Sequence, residues 1–288
     1  MTIYNLGSIN ADVFYRLPHL VEPGETLAAT SVYQGLGGKA ANMSVAAARA
    51  GAKVVHIGAV GLDGDWAIKR LAEYGIDTQF IAMSEAKTGH AIIMVDSAGE
   101  NAIVLHPGAN HGLLDTDIAA AIGAAKSNDT LLLQNETNGQ VHAARLAASL
   151  GLRVAYAAAP FDANAVQSVL PYLDFLIFNE IEAEQLLVET SLTPSALGVA
   201  DVIVTLGPNG CKYFNNQAGT VQQFPAPKVT PIDTTGAGDT FTGYVLAAID
   251  SGQSVEAAIN IAAKAAAIMV TREGTADVIP MLAEVIAM

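Results

Sequence analysis

Cysteine is almost absent from the chain: Cys211 is the single example in 288 residues. One thiol cannot form an internal disulfide, which suits a reducing compartment. Positive charge is scarce as well, with 14 Lys and Arg against 28 Asp and Glu and a formal net charge of -14. That balance argues against nucleic acid and anionic membranes as partners. It leaves room for a phosphorylated ligand held locally by metal ions and backbone N–H groups. Aromatic residues make up only 6% of the chain, which is half hydrophobic and rich in Ala and Gly. Helices packed tightly on a sheet are expected from that composition, rather than a β-sandwich.

No apolar run is long enough to cross a bilayer. The longest helix candidate, "AAINIAAKAAAIMV" (257–270), carries Lys264 and reads as a buried Ala-rich helix. The opening "MTIYNLGSIN" lacks the basic-then-apolar order of a signal peptide, so a cytoplasmic protein is expected. Several familiar sites are missing too. The only Gly-Lys pair, Gly38-Lys39, is followed by Ala40 where a Walker A loop needs Ser or Thr. Phe241 stands where a dinucleotide fingerprint needs its third glycine. The six histidines (19, 56, 90, 106, 111 and 142) show no paired metal-ligand spacing, and no serine sits in a Gly-x-Ser-x-Gly elbow.

What is present is a regular alternation. Apolar runs at 54–61, 130–134, 153–159, 175–179 and 202–207 are separated by helical patterns such as 40–52, 65–75 and 140–151. Continuous apolar strands between helices imply an α/β fold with a mostly parallel sheet covered on both faces. In such sheets ligands bind beyond the carboxyl ends of the strands. Residues 11–36 and 88–106 break the rhythm and read as hairpins, with polar turns at Pro23-Gly24 and Ser97–Glu100. They imply a small β-sheet, either a lid or surface decoration. With no repeat or linker, residues 1–288 are expected to form one domain carrying these inserted strands.

Four stretches carry candidate chemistry. In "TTGAGDTF" (234–241), Gly236, Ala237 and Gly238 open a helix and form a backbone cradle for an anion. Asp239 follows where an incoming anion would be repelled. It makes sense as the base for an attacking alcohol, or more plainly as a complement to the helix dipole. "GGKAAN" (37–42) is a second glycine-rich turn, where Gly38, Lys39 and Asn42 mix donors and acceptors as polyol recognition requires. An ordinary strand-to-helix turn is the plainer alternative. Asn10 and Asp12 in "GSINAD" point the same way from an extended chain, as hydroxyl ligands or as a polar turn. Glu136 lies just past the strand "TLLLQ". Asn179 and Glu182 fit a helix N-cap with its reciprocal carboxylate, or oxygens that hold hydrated Mg²⁺.

In order and spacing these stretches resemble the ribokinase-like (PfkB) family of carbohydrate kinases over essentially the full length. "DTTGAGDTFTG" (233–243) is similar to that family's C-terminal signature and "GGKAAN" to its N-terminal one. "NEIEAE" (179–184) resembles its Asn-x-x-Glu metal motif, and "VTLGPNG" (204–210) its nucleotide-side loop.

The resemblance implies an ATP-dependent kinase acting on a primary hydroxyl of a small sugar, ribose first. Fructose, a 2-keto-3-deoxy sugar acid or a nucleoside are alternative acceptors, and a catalytically silent binding protein is the rival from another class. By the same resemblance Asn10, Asp12, Gly38, Lys39, Asn42 and Glu136 would bind sugar, and Asp239 would be the base beside the anion hole of 236–238. Asn179 and Glu182 would act through Mg²⁺ and its water. Thr205, Gly207 and Gly210 would lie beside ATP, with Asn179 and Gly238 close to its phosphates. Asp233 and Thr235, with the 270–274 backbone, would form a site for a monovalent cation such as K⁺. A homodimer through the lid is the implied assembly. The chain departs from the family pattern at Ala40, where glycine is usual, and at Val278, where a serine often helps the cation site. It also lacks the Asn-Pro expected within "AYAAAP" (155–160), and its 188–200 segment is short.

Overall fold

Alternate residues of nearly continuous apolar strands feed two separate cores, so the central sheet is buried on both faces. The computed structural model describes residues 1–288. The chain opens with β1 (Thr2–Leu6), β2 (Asn10–Arg16) and β3 (Ser31–Gly37), then α1 (Lys39–Arg49), β4 (Lys53–Gly61), α2 (Asp65–Glu73) and β5 (Asp77–Ser84). A hairpin of β6 (Gly89–Val95) and β7 (Asn101–His106) precedes α3 (Asp115–Gly123). The βα rhythm continues through β8 (Thr130–Leu133), α4 (Gln140–Ser149), β9 (Arg153–Ala157), α5 (Ala163–Val169), β10 (Phe175–Asn179) and α6 (Glu180–Thr190). The last third holds β11 (Asp201–Thr205), β12 (Cys211–Asn215), β13 (Thr220–Phe224), α7 (Ala237–Asp250), α8 (Val255–Met269) and α9 (Leu282–Ala287).

Nine strands form the main sheet in the order β13-β12-β11-β10-β9-β8-β1-β4-β5. From β11 to β5 every pair is parallel; β12 and β13 close one edge as an antiparallel hairpin. Leu132 and Ile203 point into the core shared with α1, α7 and α8, while Leu131, Leu133, Val202 and Val204 point into the core under α3 to α6. Each such side chain contributes about 1.5–3 kcal/mol by leaving water. The order reverses direction at β1, which sits between β8 and β4. A crevice therefore opens beyond the carboxyl ends of β1 and β8.

The second sheet has four strands in the order β3-β2-β6-β7, with β2 and β6 parallel and the outer pairs antiparallel. These are the two hairpin regions expected from the sequence, joined into one layer. Asn10 pairs with Gly37 and Gly89, so this sheet springs from the crevice itself. The two edges, β5 and the β12–β13 hairpin, are the strands the apolar pattern does not announce. They are half-exposed, and polar residues such as Gln79, Gln222 and Gln223 dilute their apolar signal. No helix of the chain is long and apolar enough to cross a membrane.

Candidate active site

The turn 233–236 ends at Gly236, whose φ of 77° places it in the left-handed region that glycine adopts without strain. That turn lets α7 begin abruptly at Ala237. The Ala237 N–H folds back onto the Thr234 carbonyl at 3.2 Å, while the N–H groups of Gly236, Gly238 and Asp239 meet no acceptor. Three open donors at a helix start are the arrangement that an anion cradle needs.

Asp239 lies in the first turn of α7 and is buried. Its Oδ2 accepts from Asn42 Nδ2 at 3.0 Å. Burial raises its pKa; Lys39 and the Asn42 hydrogen bond oppose the shift without cancelling it. A carboxylate so raised holds a proton better than an exposed one, which is what a general base needs. Lys39 begins α1 and faces the same space. The negative charge of Asp239 pushes its pKa up, so it stays an ammonium.

Asn42 also keeps Oδ1 buried without a partner. An unpaired buried acceptor costs about 1–3 kcal/mol, a cost that a ligand hydroxyl would remove. Asn10 and Asp12 are buried on the same face of β2, as the period of a strand requires. Asn10 Oδ1 accepts from Asn110 Nδ2 at 2.7 Å. The Asp12 carboxyl lies over Gly37, where a Cβ would stand 1.9–2.3 Å from its atoms, so only glycine allows that approach. Burial, then the charges of Glu136 and Asp239, lift Asp12 to about 7. Glu136 Oε2 takes the Lys39 backbone N–H at 3.0 Å and the Ser8 hydroxyl. Four elements thus converge on one polar corner.

Lys39, Asp239, Gly236, Gly238, Asn179, Glu182 and Thr205 line one small cavity of about 140 Å³. Beside it runs a larger, mainly apolar cavity of about 800 Å³, lined by Thr205, Gly207, Gly210, Ala237, Gly238, Phe241 and Val270 among others. Thr205 and Gly238 belong to both, so the anion cradle sits where a polar chamber meets an apolar slot. A flat heterocycle with a phosphate tail suits that combination.

Both readings of Asn179 and Glu182 meet here. The capping box is complete: Glu182 N–H donates to Asn179 Oδ1 at 2.9 Å, and Asn179 N–H to Glu182 Oε2 at 2.7 Å. Glu182 uses only Oε2 in the cap, and it lines the cavity it shares with Asp239. A single hard carboxylate oxygen suits a hydrated Mg²⁺, which keeps its waters. Asp233 ties its own turn to the loop after α8, accepting from the N–H of Thr235 at 2.9 Å and of Gly274 at 3.3 Å. Its lone pairs leave room for a weakly held monovalent cation. Val278 has no side-chain oxygen to offer that loop; its backbone carbonyl accepts from Arg272 Nη1 at 3.1 Å.

Three neighbours escaped the sequence reading. Asn110 is 1% exposed and orients Asn10 while accepting from Ile9 N–H at 3.0 Å. Ser8 fixes Glu136, and Gly89 packs where a Cβ would stand 2.2 Å from Asn110 Nδ2. A lone Asn after Pro107-Gly108 carries no spacing signal, so only the three-dimensional neighbourhood identifies it.

A model of the pfkB family carbohydrate kinases matches residues 3–282. A ribokinase of Haemophilus influenzae is 38% identical over 294 residues, covering 97% of this chain and 95% of its own. The ribokinase of Cryptococcus neoformans var. grubii, solved in complex with ADP, superposes with a TM-score of 0.84 at 32% identity, covering 99% of this chain and 98% of that one. The Arabidopsis thaliana ribokinase, solved with ribose and ATP, gives a TM-score of 0.83 at 27% identity, covering 99% and 97%.

Proposed function

The chain belongs to the pfkB family of carbohydrate kinases, and from that membership we propose that it transfers the γ-phosphoryl group of ATP to a primary hydroxyl of ribose. The observation that carries this reading is Asp239: a buried carboxylate with a raised pKa, one residue after Gly238 in the open N–H cradle. An anion site alone would not place a base there. An alcohol that must lose its proton as phosphate arrives requires one.

In this reading the sugar lies against Asn10, Asp12, Gly38, Asn42 and Glu136, with its primary hydroxyl toward Asp239. The adenine enters the apolar slot beside Gly207 and Gly210, and the γ-phosphate reaches the 236–238 turn. Asp239 orients the hydroxyl and takes its proton. The open N–H groups and Lys39 receive the charge that develops on the transferring group. Asn42 holds the Asp239 carboxylate in one orientation. Mg²⁺, reached through water by Glu182 with Asn179, would supply neutralisation of phosphate charge. Asp233 and Thr235 would hold K⁺ as an accessory ion.

The chain acts as one kinase unit, residues 1–288, with the four-stranded sheet as a lid that excludes water as the competing acceptor. A dimer through the exposed lid strands and a cytoplasmic site of action belong to the same proposal.

A panel of sugars offered with MgATP, read by ADP release, tests it. Ribose should give the largest kcat/KM. Turnover only with a nucleoside or keto sugar would reassign the acceptor, and no turnover with any of them would leave a binding protein.

A further inference from the structure

Beneath the sugar-side loops runs a line of buried polar side chains that phosphoryl transfer does not use. Gln134, just past β8, donates from Nε2 to Asn5 Oδ1 at 2.8 Å. Asn5, in β1, donates from Nδ2 to the Ala40 carbonyl at 2.8 Å and to Ser44 Oγ at 2.9 Å. Ser44 Oγ, in α1, meets His56 Nδ1, in β4, at 2.9 Å. All four side chains are at most 1% exposed.

The donor count gives this line a direction. Ser44 Oγ accepts from Asn5 and keeps its own proton. The contact of His56 with the Gly7 carbonyl favours the ring proton on Nε2, so Nδ1 is the acceptor for Ser44. The ring then carries its proton on Nε2, and burial keeps it neutral by lowering its pKa to about 4. Each bond fixes the next, and such chains hold their members more firmly than isolated pairs.

Stability alone does not explain the arrangement. Gln134 Oε1 is buried without a hydrogen-bond partner, at a cost of about 1–3 kcal/mol, and His56 Nε2 has only a weak contact with the Gly7 carbonyl. Apolar residues of similar volume would avoid that cost. What the line does is tie together the roots of three segments: Gly7-Ser8 after β1, Gly38–Ala40 at the start of α1, and Gln134–Glu136 after β8. Those segments meet again above it, where Glu136 takes the Ser8 hydroxyl and the Lys39 N–H.

We propose that Asn5, Ser44, His56 and Gln134 are positioning residues that set the spacing of these three segments and so the grip of Glu136 and its neighbours on the sugar. This rests on the assignment of that corner to the acceptor. None of the four lines either cavity, so they act through Glu136, Ala40 and Ser8 rather than by touching substrate.

Two variants test it. Ser44→Ala breaks the line at its centre. Gln134→Met removes the donor to Asn5 together with an oxygen that has no partner, so it retains the fold even where Ser44→Ala does not. Steady-state kinetics with ribose and ATP, and calorimetric ribose titration without nucleotide, are the readouts. The sugar KM and Kd should rise roughly tenfold, as a displacement well under 1 Å would cause, while the ATP KM stays within about twofold. An unchanged sugar KM, or equal changes for sugar and ATP with a lowered Tm, would overturn the proposal. An unmodified enzyme that phosphorylates no sugar defeats the acceptor assignment instead, before any variant is compared.

Discussion

Asp239 and Asp12 are buried carboxylates a few residues from glycines, and the two do opposite things to the protein. Asp239 accepts from Asn42 and lies in the field of Lys39, the surroundings that the proposed base needs. Asp239→Asn keeps the shape and the Asn42 contact but cannot take a proton. It should lower kcat by roughly 10²- to 10⁴-fold with calorimetric sugar affinity nearly unchanged; near-normal turnover would remove Asp239 as the base. Asp12 carries its charge at a cost, because burial and the nearby Glu136 and Asp239 raise it to about 7. A carboxyl whose pKa is higher folded than unfolded binds extra protons on folding. Its destabilising contribution is therefore absent below about pH 4, grows as pH rises to about 7, and then levels off. Asp12→Asn should gain about 1–3 kcal/mol in urea unfolding at pH 8 and nothing near pH 4, while losing sugar affinity. An equal gain at both pH values would locate the cost elsewhere.

At the scale of elements, the helix starts divide the labour. α7 opens at a left-handed glycine with no side-chain cap, leaving its N–H groups free for a ligand. α6 opens with a complete capping box that satisfies its own donors. Glu182 caps α6, and one substitution can separate that cap from the Mg²⁺ role proposed for it. Glu182→Gln retains an acceptor for the Asn179 N–H but loses the charge facing the Asp239 cavity. Stability should stay within about 0.5 kcal/mol. The Mg²⁺ concentration for half activity should rise roughly tenfold, as when a residue supporting a metal through its waters is lost. A fall in stability with no Mg²⁺ shift would leave only the cap.

For the whole molecule, the question is how the four-stranded sheet stays attached. Its edge strand β3 is tied to the loop that follows α8: Tyr33 donates to Asp277 Oδ2 at 3.1 Å and Thr275 to the Leu36 carbonyl at 2.9 Å, with Arg16 paired to Glu273. On the sheet face turned away from Asp12, Val32 and Val104 remain more than half exposed, with Ile92 37% exposed beside Val104. A contiguous apolar sheet face of this kind is usually covered by a partner. Light scattering should give the mass of two chains, and Val104→Glu should give one. A single-chain mass for the unmodified protein would remove the dimer.

The sequence by itself determined the inner strands, the two hairpins, the helix start at 236–239 and the buried Ala-rich helix. Each depends on a local regularity: an apolar run, a polar turn, a glycine before an apolar helix. It also held two readings of Asn179 and Glu182 without choosing between them, since cap spacing and metal spacing coincide. Only the tertiary structure decided what lies outside those periods. The edge strands β5, β12 and β13 form because neighbours offer backbone partners, despite their weak patterns. Asn110 reaches Asn10 across 100 positions, Glu136 gathers Ser8 and Lys39, and Asn42 meets Asp239 across 197. Burial then raises the two aspartates. Such long-range contacts and shifted pKa values depend on which residues the folded chain brings together, and no local spacing encodes that.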